Sequence, residues 1–372
     1  MLFAAIPKKQ NKWRFIALLS FFTKLFNLLL LRRLSTAIDP LLSPSQAGFR
    51  KGRNTLQHIT TLQCLLGLAH SSPDFPLALG FVDFANAFPS VSWDAIQGAL
   101  DAFHVPPFLA SKIMSIIRNS TGQVGRANTQ FNIGKGVMQG DTLAPFLFIL
   151  VLDRVLNDSV GHLSHLGVPI SRGTTLTHLA FADDVVFASH STTNLSTMLS
   201  SLATRASSIG LLLNFSPNKT EALLTNCEGP VVVSTPTSTT ELRKTTKYTY
   251  LGLPLCPKAA VDQRCAMALT ANTRLLPLYA SPSLSHRTKL LIFQTLAEPV
   301  LLYGLACLPL TPPLLKRLQG TYTTLLRMVV TGCSGSAAHI TRTIIYDNNK
   351  IPEITTKIWE LRYRFLQRWL LP

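Results

Sequence analysis

The stretch that decides the fold is residues 177–189, which read Thr-His-Leu-Ala-Phe-Ala-Asp-Asp-Val-Val-Phe-Ala-Ser. Apolar residues stand on both sides of Asp183 and Asp184, a pattern typical of two short strands joined by a tight turn. Adjacent carboxylates repel each other and lose solvation beside apolar strands, so a bound cation is needed to offset both effects. We therefore predict a hairpin, Thr177–Phe181 and Val185–Ser189, with a cation site at or beside its tip.

A second acid strengthens this interpretation, because Asp83 closes another apolar, strand-like run, Leu77–Phe84. Two adjacent aspartates alone are more often a solvated surface turn, since turns are rich in Asp. Strand-borne acids that converge at one sheet edge, however, supply the hard oxygen ligands that Mg²⁺ prefers, with phosphate oxygens completing each octahedron. Asp83, Asp183 and Asp184 are therefore candidate ligands for a pair of metal ions that acts on phosphates.

The surrounding sequence predicts alternating strands and helices up to residue 240 and mainly helices afterwards. Ser92 is a suitable N-cap, and Pro145 stands where a helix can begin. Gly134–Asp141 and the Ser/Thr-rich run Val231–Thr240 are predicted loops. The predicted helices are Phe15–Arg33, Thr55–Ala69, Trp93–Phe103, Phe146–Leu156 and Asn194–Ile209. This order indicates the α+β class with a helical appendage.

The composition argues against disorder and favours a polyanionic partner. Of the 372 residues 47% are hydrophobic, and the formal net charge is +17. This charge favours nucleic acid, or less specifically an anionic membrane, over a merely basic solvated surface. Residues 241–372 hold 17 basic and 6 acidic side chains, a net charge of +11. Six scattered cysteines form no CxxC or Cys/His cluster, which indicates reduced thiols rather than disulfides or a zinc site.

The apolar segment Ile16–Leu31 is similar to the core of a signal peptide. Lys24 interrupts it, no small-residue cleavage pattern follows before Arg32, and it is shorter than the roughly 20 apolar residues of a membrane span. We expect an amphipathic or buried helix here, no signal peptide and no membrane association. The expected location is intracellular, in the nucleus, the cytoplasm or both.

A series of motifs, in order along residues 7–252, resembles the reverse transcriptases of non-LTR (LINE-type) retrotransposons. The motifs are Pro7-Lys8-Lys9 with Trp13-Arg14, the Gln-Ala-Gly-Phe-Arg-Lys-Gly-Arg-Asn-Thr run at 46–55, Phe-Val-Asp-Phe-Ala-Asn-Ala-Phe at 81–88, the Gly-rich run at 136–145, Phe-Ala-Asp-Asp at 181–184, and residues 214–219 and 250–252. The chain begins inside the first of these motifs and carries no endonuclease or zinc-knuckle signature, so we expect a fragment or a degraded copy of an element.

The resemblance implies a right-hand polymerase fold, in which the fingers and a palm of antiparallel sheet packed on helices occupy residues 1–240. Residues 241–372 would then hold the end of the palm and a basic, mainly helical thumb. The implied activity is that of an RNA-directed DNA polymerase, which transfers a nucleotide from a dNTP to a primer 3′-hydroxyl on an RNA template. Protein partners stay unknown.

The resemblance also implies roles for individual residues. Asp83, Asp183 and Asp184 would hold two Mg²⁺ ions, for which Mn²⁺ is a possible substitute, and Lys219 would protonate the departing pyrophosphate. Gln139 and Gly140 would contact the incoming nucleotide. The backbone of Phe84 and Ala85 would contact the triphosphate, and the ring of Phe88 would contact the sugar. The remaining implied contacts are of Arg50, Lys51 and Arg53 with phosphates, and of Tyr250, Leu251 and Gly252 with the primer end.

Each of these positions also has an ordinary structural explanation. The Gly-rich run is then a plain loop, the basic run 50–53 a solvated turn, Lys219 a surface lysine, Phe88 a core aromatic and 250–252 a β-turn. Pro89 replaces the acid that is common in this family, which removes a hydrogen-bonding cap.

Two other functions stay open beside the polymerase. A catalytically impaired remnant that still binds nucleic acid would keep the fold and the basic groove. An RNA-dependent RNA polymerase is disfavoured, because a bulky ring at Phe88 would crowd a ribose 2′-hydroxyl.

The basic second half generates the first prediction. Its charge of +11 would bind a primer–template duplex by releasing counterions, so the affinity should fall steeply with salt. Contacts with about six phosphates correspond to a loss of roughly a thousandfold between 50 and 200 mM salt. Fluorescence anisotropy of a labelled duplex over that range measures the slope. An affinity independent of salt would contradict the thumb assignment.

Overall fold

The computed structural model describes residues 2–8, 12–124, 130–171, 173–333, 345–346 and 350–370. The chain folds into two compact units. The first unit comprises Met1–Thr55 and Leu66–Thr246, and the second comprises Leu56–Leu65 and Lys247–Pro372. The boundary between the two units lies after Thr246, whereas the sequence predicted it after residue 240. Part of one helix, Leu56–Leu65, belongs to the second unit.

The described part of the first unit contains thirteen strands. They are β1 (Leu2–Lys8), β2 (Lys12–Leu18), β3 (Leu77–Val82), β4 (Thr121–Val124), β5 (Gln130–Asn132), β6 (Val168–Ser171), β7 (Thr174–Leu176), β8 (His178–Phe181), β9 (Asp184–Ser189), β10 (Glu221–Thr225), β11 (Val232–Ser234), β12 (Thr239–Glu241) and β13 (Arg243–Lys244). Its helices are α1 (Phe21–Ile38), α2 (Thr55–Ser71, shared with the second unit), α3 (Ala87–Ser90), α4 (Trp93–Ala102), α5 (Pro107–Arg118), α6 (Ala144–Val160) and α7 (Thr192–Ser207).

The central sheet has the strand order β13-β10-β3-β9-β8. Its middle strand β3 is antiparallel to both neighbours and buried at all six positions, as expected for an apolar run covered on both faces. The helices α6 and α7 pack on each other, and α7 also packs on β3 and β9. The register pairs Val82 with Val185, so Asp83 and Asp184 leave the sheet at the same edge.

The predicted elements around this sheet are confirmed with small changes of boundary. The hairpin is β8 and β9, and the Ser92 hydroxyl accepts a hydrogen bond from the Ala95 N–H and caps α4, as predicted. The mixed helix and sheet content also confirms the α+β class. The run Val231–Thr240 was wrongly predicted to be only a loop, because β11 and β12 pair antiparallel within and just beyond it.

The predicted helix Phe15–Arg33 is wrong at its start. Residues up to Leu18 form β2, which pairs with β1 in a second sheet of order β2-β1-β4-β5. Helix α1 begins only at Phe21, after the Ser20 hydroxyl accepts a hydrogen bond from the Thr23 N–H. The periodicity of this mostly apolar run does not reveal such a change from strand to helix. Of the first sequence motif, Lys9 lies outside the described residues.

The described part of the second unit is mainly helical. After the hairpin β14 (Thr249–Tyr250) and β15 (Leu253–Pro254) come α8 (Pro257–Arg274), α9 (Leu276–Ala280), α10 (His286–Leu296), α11 (Glu298–Leu302), α12 (Pro312–Thr331) and α13 (Ile354–Leu370). A buried polar cluster ties three of these helices together. Glu298 accepts hydrogen bonds from the Tyr322 hydroxyl at 2.6 Å and from Lys357 Nζ at 2.8 Å.

One helical stretch in the described ranges, His286–Cys307, is long and apolar enough to cross a membrane by length and composition. It comprises α10, α11 and a final short turn, and 33% of its most apolar window is buried in the structure. Helices in the core of soluble proteins meet the same criterion, so a single stretch of this kind is weak evidence for a span.

A buried acid in α6 generates the second prediction. Asp153 Oδ2 accepts hydrogen bonds from the Ser43 N–H at 3.2 Å and from Asn157 Nδ2 at 3.3 Å, while its Oδ1 has no partner among the described residues. Burial raises the pKa of Asp153 from 3.8 to about 6, against the attraction of Arg50. The folded state therefore binds this proton more tightly than the unfolded chain does. Its stabilising effect is complete below about pH 4 and is lost as the pH rises through 6.

Replacing Asp153 by Asn should therefore raise the free energy of unfolding at pH 7 by up to about 3 kcal/mol. The gain should vanish at pH 4, where the acid is already neutral. Urea unfolding at both pH values measures the difference, with the exposed Asp94→Asn as the control that should change little at either. A D153N protein that is less stable at pH 7 would mean that attraction to Arg50 outweighs the burial of the charge.

Candidate active site

Asp83 stands directly after β3, where the chain leaves the core. Its Oδ2 accepts a hydrogen bond from Asn214 Nδ2 at 2.9 Å, and its Oδ1 lies 3.1 Å from Nζ of Lys219. Its carbonyl accepts a hydrogen bond from the Asn214 N–H at 2.8 Å, and its own N–H donates to the Thr220 hydroxyl at 3.3 Å. The segment 214–220 therefore holds both the backbone and the carboxylate of this residue.

Asp184 begins β9, directly opposite the end of β3. Asp184 is exposed as a residue, yet the surrounding protein partly desolvates its carboxyl group. This loss of solvation is the main reason why the pKa of Asp184 rises to about 6, and repulsion from Asp183 and Asp83 adds to it, while Lys219 opposes it. The three acids therefore share one electrostatic environment, and a cation placed there would relieve the repulsion between them.

The donor set fits divalent metal ions in its chemistry, because carboxylate oxygens are their preferred ligands. The side chains are not yet gathered around a common point, since among the described residues no three acidic, imidazole or thiol groups lie close enough to hold one ion. Asp83 instead contacts the Lys219 ammonium. An ion bound by Asp83 would compete with this contact, and Asp83, Asp183 and Asp184 are the residues that would hold the ions.

The Gly-rich loop that carries Gln139 is anchored to the β1–β2 sheet and to α1. The Gln139 carbonyl accepts a hydrogen bond from the Ala17 N–H at 2.7 Å, and Asn27 Nδ2 donates to Asp141 Oδ1 at 2.7 Å. Gly140 has φ +104°, and a Cβ there would lie 2.5 Å from the Ala17 carbonyl oxygen. The close approach at Gly140 is thus to β2, and its contact with a nucleotide stays a prediction.

Phe88 lies in α3, half-buried against the core. Its ring stacks on that of Phe148 in α6, with centroids 4.6 Å apart and planes at 13°. This stack gives Phe88 the structural role that the sequence left as the alternative. Its half-exposed ring still leaves the predicted contact with a sugar untested.

The predicted triphosphate contact of Ala85 needs correction. Its N–H donates to the Leu212 carbonyl at 2.8 Å, and its carbonyl accepts a hydrogen bond from the Ser90 hydroxyl at 3.3 Å. Both backbone groups are therefore engaged within the protein. Phe84 is buried and forms an isolated bridge with Leu213, so these two residues attach the end of β3 to the segment before Asn214.

The predicted phosphate contact of Arg50 is replaced by a structural role. The guanidinium is buried, and all five of its N–H groups donate to Asp39, to the Ser43 carbonyl or to the Gln46 carbonyl. An arginine with every donor engaged has none for a phosphate. Its neighbours Lys51 and Arg53 are exposed, so they keep the phosphate contacts as predictions.

The predicted primer grip forms the tight turn between β14 and β15 of the second unit. Tyr250 is buried, with its hydroxyl 3.4 Å from His58 Nδ1, and the Leu251 carbonyl accepts a hydrogen bond from the Tyr303 hydroxyl at 2.8 Å. The Gly252 carbonyl accepts one from the Arg264 guanidinium. This is the ordinary β-turn that the sequence allowed as the alternative, and a role at the primer end stays a prediction.

Two residues that contact the acid site received no role from the sequence. Asn214 bonds Asp83, and Gln46 bonds the turn that carries Asp183 and Asp184. Gln46 precedes two small residues, Ala47 and Gly48, and small residues allow a close backbone approach. That pattern is the signal that could have pointed to this loop.

The comparisons with known proteins agree with the geometry. Residues 6–255 match the family described as reverse transcriptase (RNA-dependent DNA polymerase). The chain is 27% identical over 310 residues to the Pol polyprotein of the type-2 retrotransposable element R2DM of Drosophila melanogaster, covering 80% of this chain and 28% of that protein. A Pol polyprotein of the type-1 retrotransposable element R2 of Popillia japonica is 28% identical over 218 residues, 56% of this chain and 30% of that protein. The chain thus spans under a third of these relatives.

Among solved structures, the chain is similar to telomerase of Candida tropicalis. The apo enzyme has a TM-score of 0.51 over 90% of this chain and 59% of that one, and the complex with a fragment of telomeric RNA has 0.52 over 94% and 57%, both at 13% identity. Likeness at this identity shows the fold, which confirms the right-hand polymerase architecture. The R2 relatives confirm the resemblance to non-LTR elements.

The third prediction concerns the choice of sugar and follows from the stacking of Phe88 on Phe148. If the Phe88 ring excludes a ribose 2′-hydroxyl, Phe88→Val should raise ribonucleotide relative to deoxyribonucleotide incorporation far more than it lowers total activity. If the ring only supports the core, the cavity should cost up to roughly 3 kcal/mol and lower both rates alike. The two rates on one primer–template, with a thermal melt, separate these outcomes. The matched control is Phe103→Val, another half-buried ring against the same core, which should leave the ratio unchanged.

Proposed function

We propose, because the chain belongs to the reverse transcriptase family, that it is the polymerase core of a retrotransposon polyprotein and copies RNA into DNA. The observation that carries this proposal is the meeting of Asp83 and Asp184 at one edge of the sheet, set by the pairing of Val82 with Val185. Asp184 interacts electrostatically with both Asp183 and Asp83. Nucleic acid as a partner agrees with the net charge of +17.

The proposed cofactor is a pair of Mg²⁺ ions, with Mn²⁺ as a substitute. Such ions lower the pKa of a primer hydroxyl and stabilise the charge that develops on the triphosphate. Asp83, Asp183 and Asp184 would hold them, and the half-desolvated position of Asp184 would strengthen that attraction. The carboxylates are thus proposed to fix the geometry of transfer from dNTP to primer.

Lys219 is proposed to supply the proton for the leaving pyrophosphate. Its ammonium is 3.1 Å from Asp83, so it lies beside the acids and can pivot when a cation takes its place on the carboxylate. A long flexible side chain with three donors suits such a move. Asn214 would keep Asp83 oriented during the exchange, because it bonds the other carboxylate oxygen.

The fourth prediction tests the acids. Asp83→Asn or Asp184→Asn removes a charged ligand while preserving shape, and should lower dNTP incorporation by about a hundredfold or more. Primer extension on an RNA template with Mg²⁺ measures the rate, and circular dichroism checks the fold. The control Asp74→Asn changes an exposed acid in a loop and should retain full activity.

Two results would contradict the proposal. An Asp83→Asn protein that extends primers at the wild-type rate would overturn the assignment of the ligands. A wild-type chain that binds the duplex without extending the primer under any divalent ion would favour the impaired nucleic-acid-binding remnant instead.

A further inference from the structure

We propose that Gln46 is a positioning residue, which fixes the turn carrying Asp183 and Asp184 through a hydrogen bond to the Ala182 backbone. This inference rests on the proposed function, since it assigns a task within the same site. The loop that contains it, residues 43–50, is here named the Gln46 loop. A side chain from a distant segment of the chain would thus hold the backbone of the hairpin β8–β9 in place.

The side chain of Gln46 is completely buried. Its Oε1 accepts two hydrogen bonds, from the Ala182 N–H at 3.0 Å and from the Gly48 N–H at 2.9 Å. Its Nε2 is buried and has no hydrogen-bond partner among the described residues. An unpartnered buried donor is costly, so an apolar residue would serve plain packing better. The amide oxygen is therefore the useful part of this side chain.

Ala182 is the residue whose backbone conformation needs this support. Its φ is +56°, a left-handed conformation that a residue with a side chain rarely adopts without support from its surroundings. It directly precedes Asp183 and Asp184, whose mutual repulsion favours any relaxation that separates them. The hydrogen bond from its N–H to Gln46 holds the turn in the strained conformation from which the two acids project.

Further contacts attach the Gln46 loop to the hairpin strand β8. The Ala47 N–H donates to the Ala180 carbonyl at 2.8 Å, and the Ala180 N–H donates to the Ser45 carbonyl at 2.9 Å. These two bonds extend the sheet beyond its edge strand by a short parallel bridge. The Ser45 hydroxyl is also 2.8 Å from Nε2 of His178, so the loop contacts β8 along its length.

Gly48 shows how closely the two backbones approach. A Cβ at this position would overlap the backbone nitrogen of Ala182, so any larger residue must push the loop away from the turn. On its other side the loop is fastened by Arg50, which bonds Asp39 and two carbonyls of the loop itself. The Gln46 loop can restrain the turn only if it is itself held elsewhere, because a loop that moved with the turn would not restrain it.

The test compares the wild-type protein with Gln46→Met, which keeps the length of the side chain but removes the acceptor. Hydrogen exchange resolved to the Ala182 amide is the first measurement, because it needs no activity. In the wild type this amide should be protected although it lies in a turn, and in Q46M it should exchange about tenfold faster or more. The matched control is Gln97→Met on the surface of α4, which should leave the Ala182 amide unchanged.

The second measurement is binding of Mn²⁺ alone, followed by the electron paramagnetic resonance signal of the free ion. Loss of the hydrogen bond from Ala182 to Gln46 should weaken Mn²⁺ binding by about tenfold in Q46M, the effect typical of residues that orient metal ligands. A purely structural role would lower the melting temperature while leaving Mn²⁺ affinity unchanged in the folded protein, and that result would overturn the proposal. So would an Ala182 amide that exchanges as fast as an unprotected turn in the wild type.

Gly48→Ala provides an independent route if Q46M fails to fold. It leaves Gln46 intact but displaces the loop, and should speed Ala182 exchange and weaken Mn²⁺ binding in the same way. The control is Gly67→Ala, where a Cβ meets no atom within 4 Å, so both readouts should stay at wild-type values. A wild-type chain without polymerase activity would refute the proposed function, whereas these two measurements would still decide the role of Gln46.

Discussion

The constraint on which this site depends is the placement of three carboxylates at one edge of the central sheet. The register of β3 against β9 creates it, since pairing Val82 with Val185 leaves Asp83 and Asp184 side by side. Partial desolvation then makes the charges costly, as the raised pKa of Asp184 shows. A sheet stabilised by the fully apolar β3 can bear this cost, and the same cost is the source of its attraction for cations.

The surroundings of the acids divide into contacts that neutralise them and uncharged contacts that hold them in position. Lys219 belongs to the first kind and can be exchanged for another cation, because its ammonium is tethered by a flexible chain. Asn214 and Gln46 belong to the second kind, since they are neutral and bond Asp83 and the Ala182 turn without altering the charge. Geometry is thus maintained by uncharged groups, which leaves the net negative charge available to a ligand.

The sequence predicted those parts of the fold that local patterns determine. The apolar run before Asp83, the paired strands around Asp183 and the cap at Ser92 are all of this kind. It failed at Arg50, although the partners of this residue, Asp39, Ser43 and Gln46, stand only 4 to 11 residues before it. A basic residue beside Lys51 and Arg53 suggests a shared phosphate role, but its five bonds depend on a loop conformation that periodicity does not encode. The change from β2 to α1 was hidden because an apolar run has the same appearance in a strand and in a helix.

Adjacent residues of one motif can therefore have opposite tasks. Phe49 and Gly52 both have positive φ, +57° and +78°, and in this stretch Arg50 is buried whereas Lys51 and Arg53 are exposed. The buried arginine fastens the loop, and this gives Gln46 a fixed point from which to hold Ala182. If the exposed pair meets phosphates, this loop would link them to the acids that are proposed to hold the metal ions.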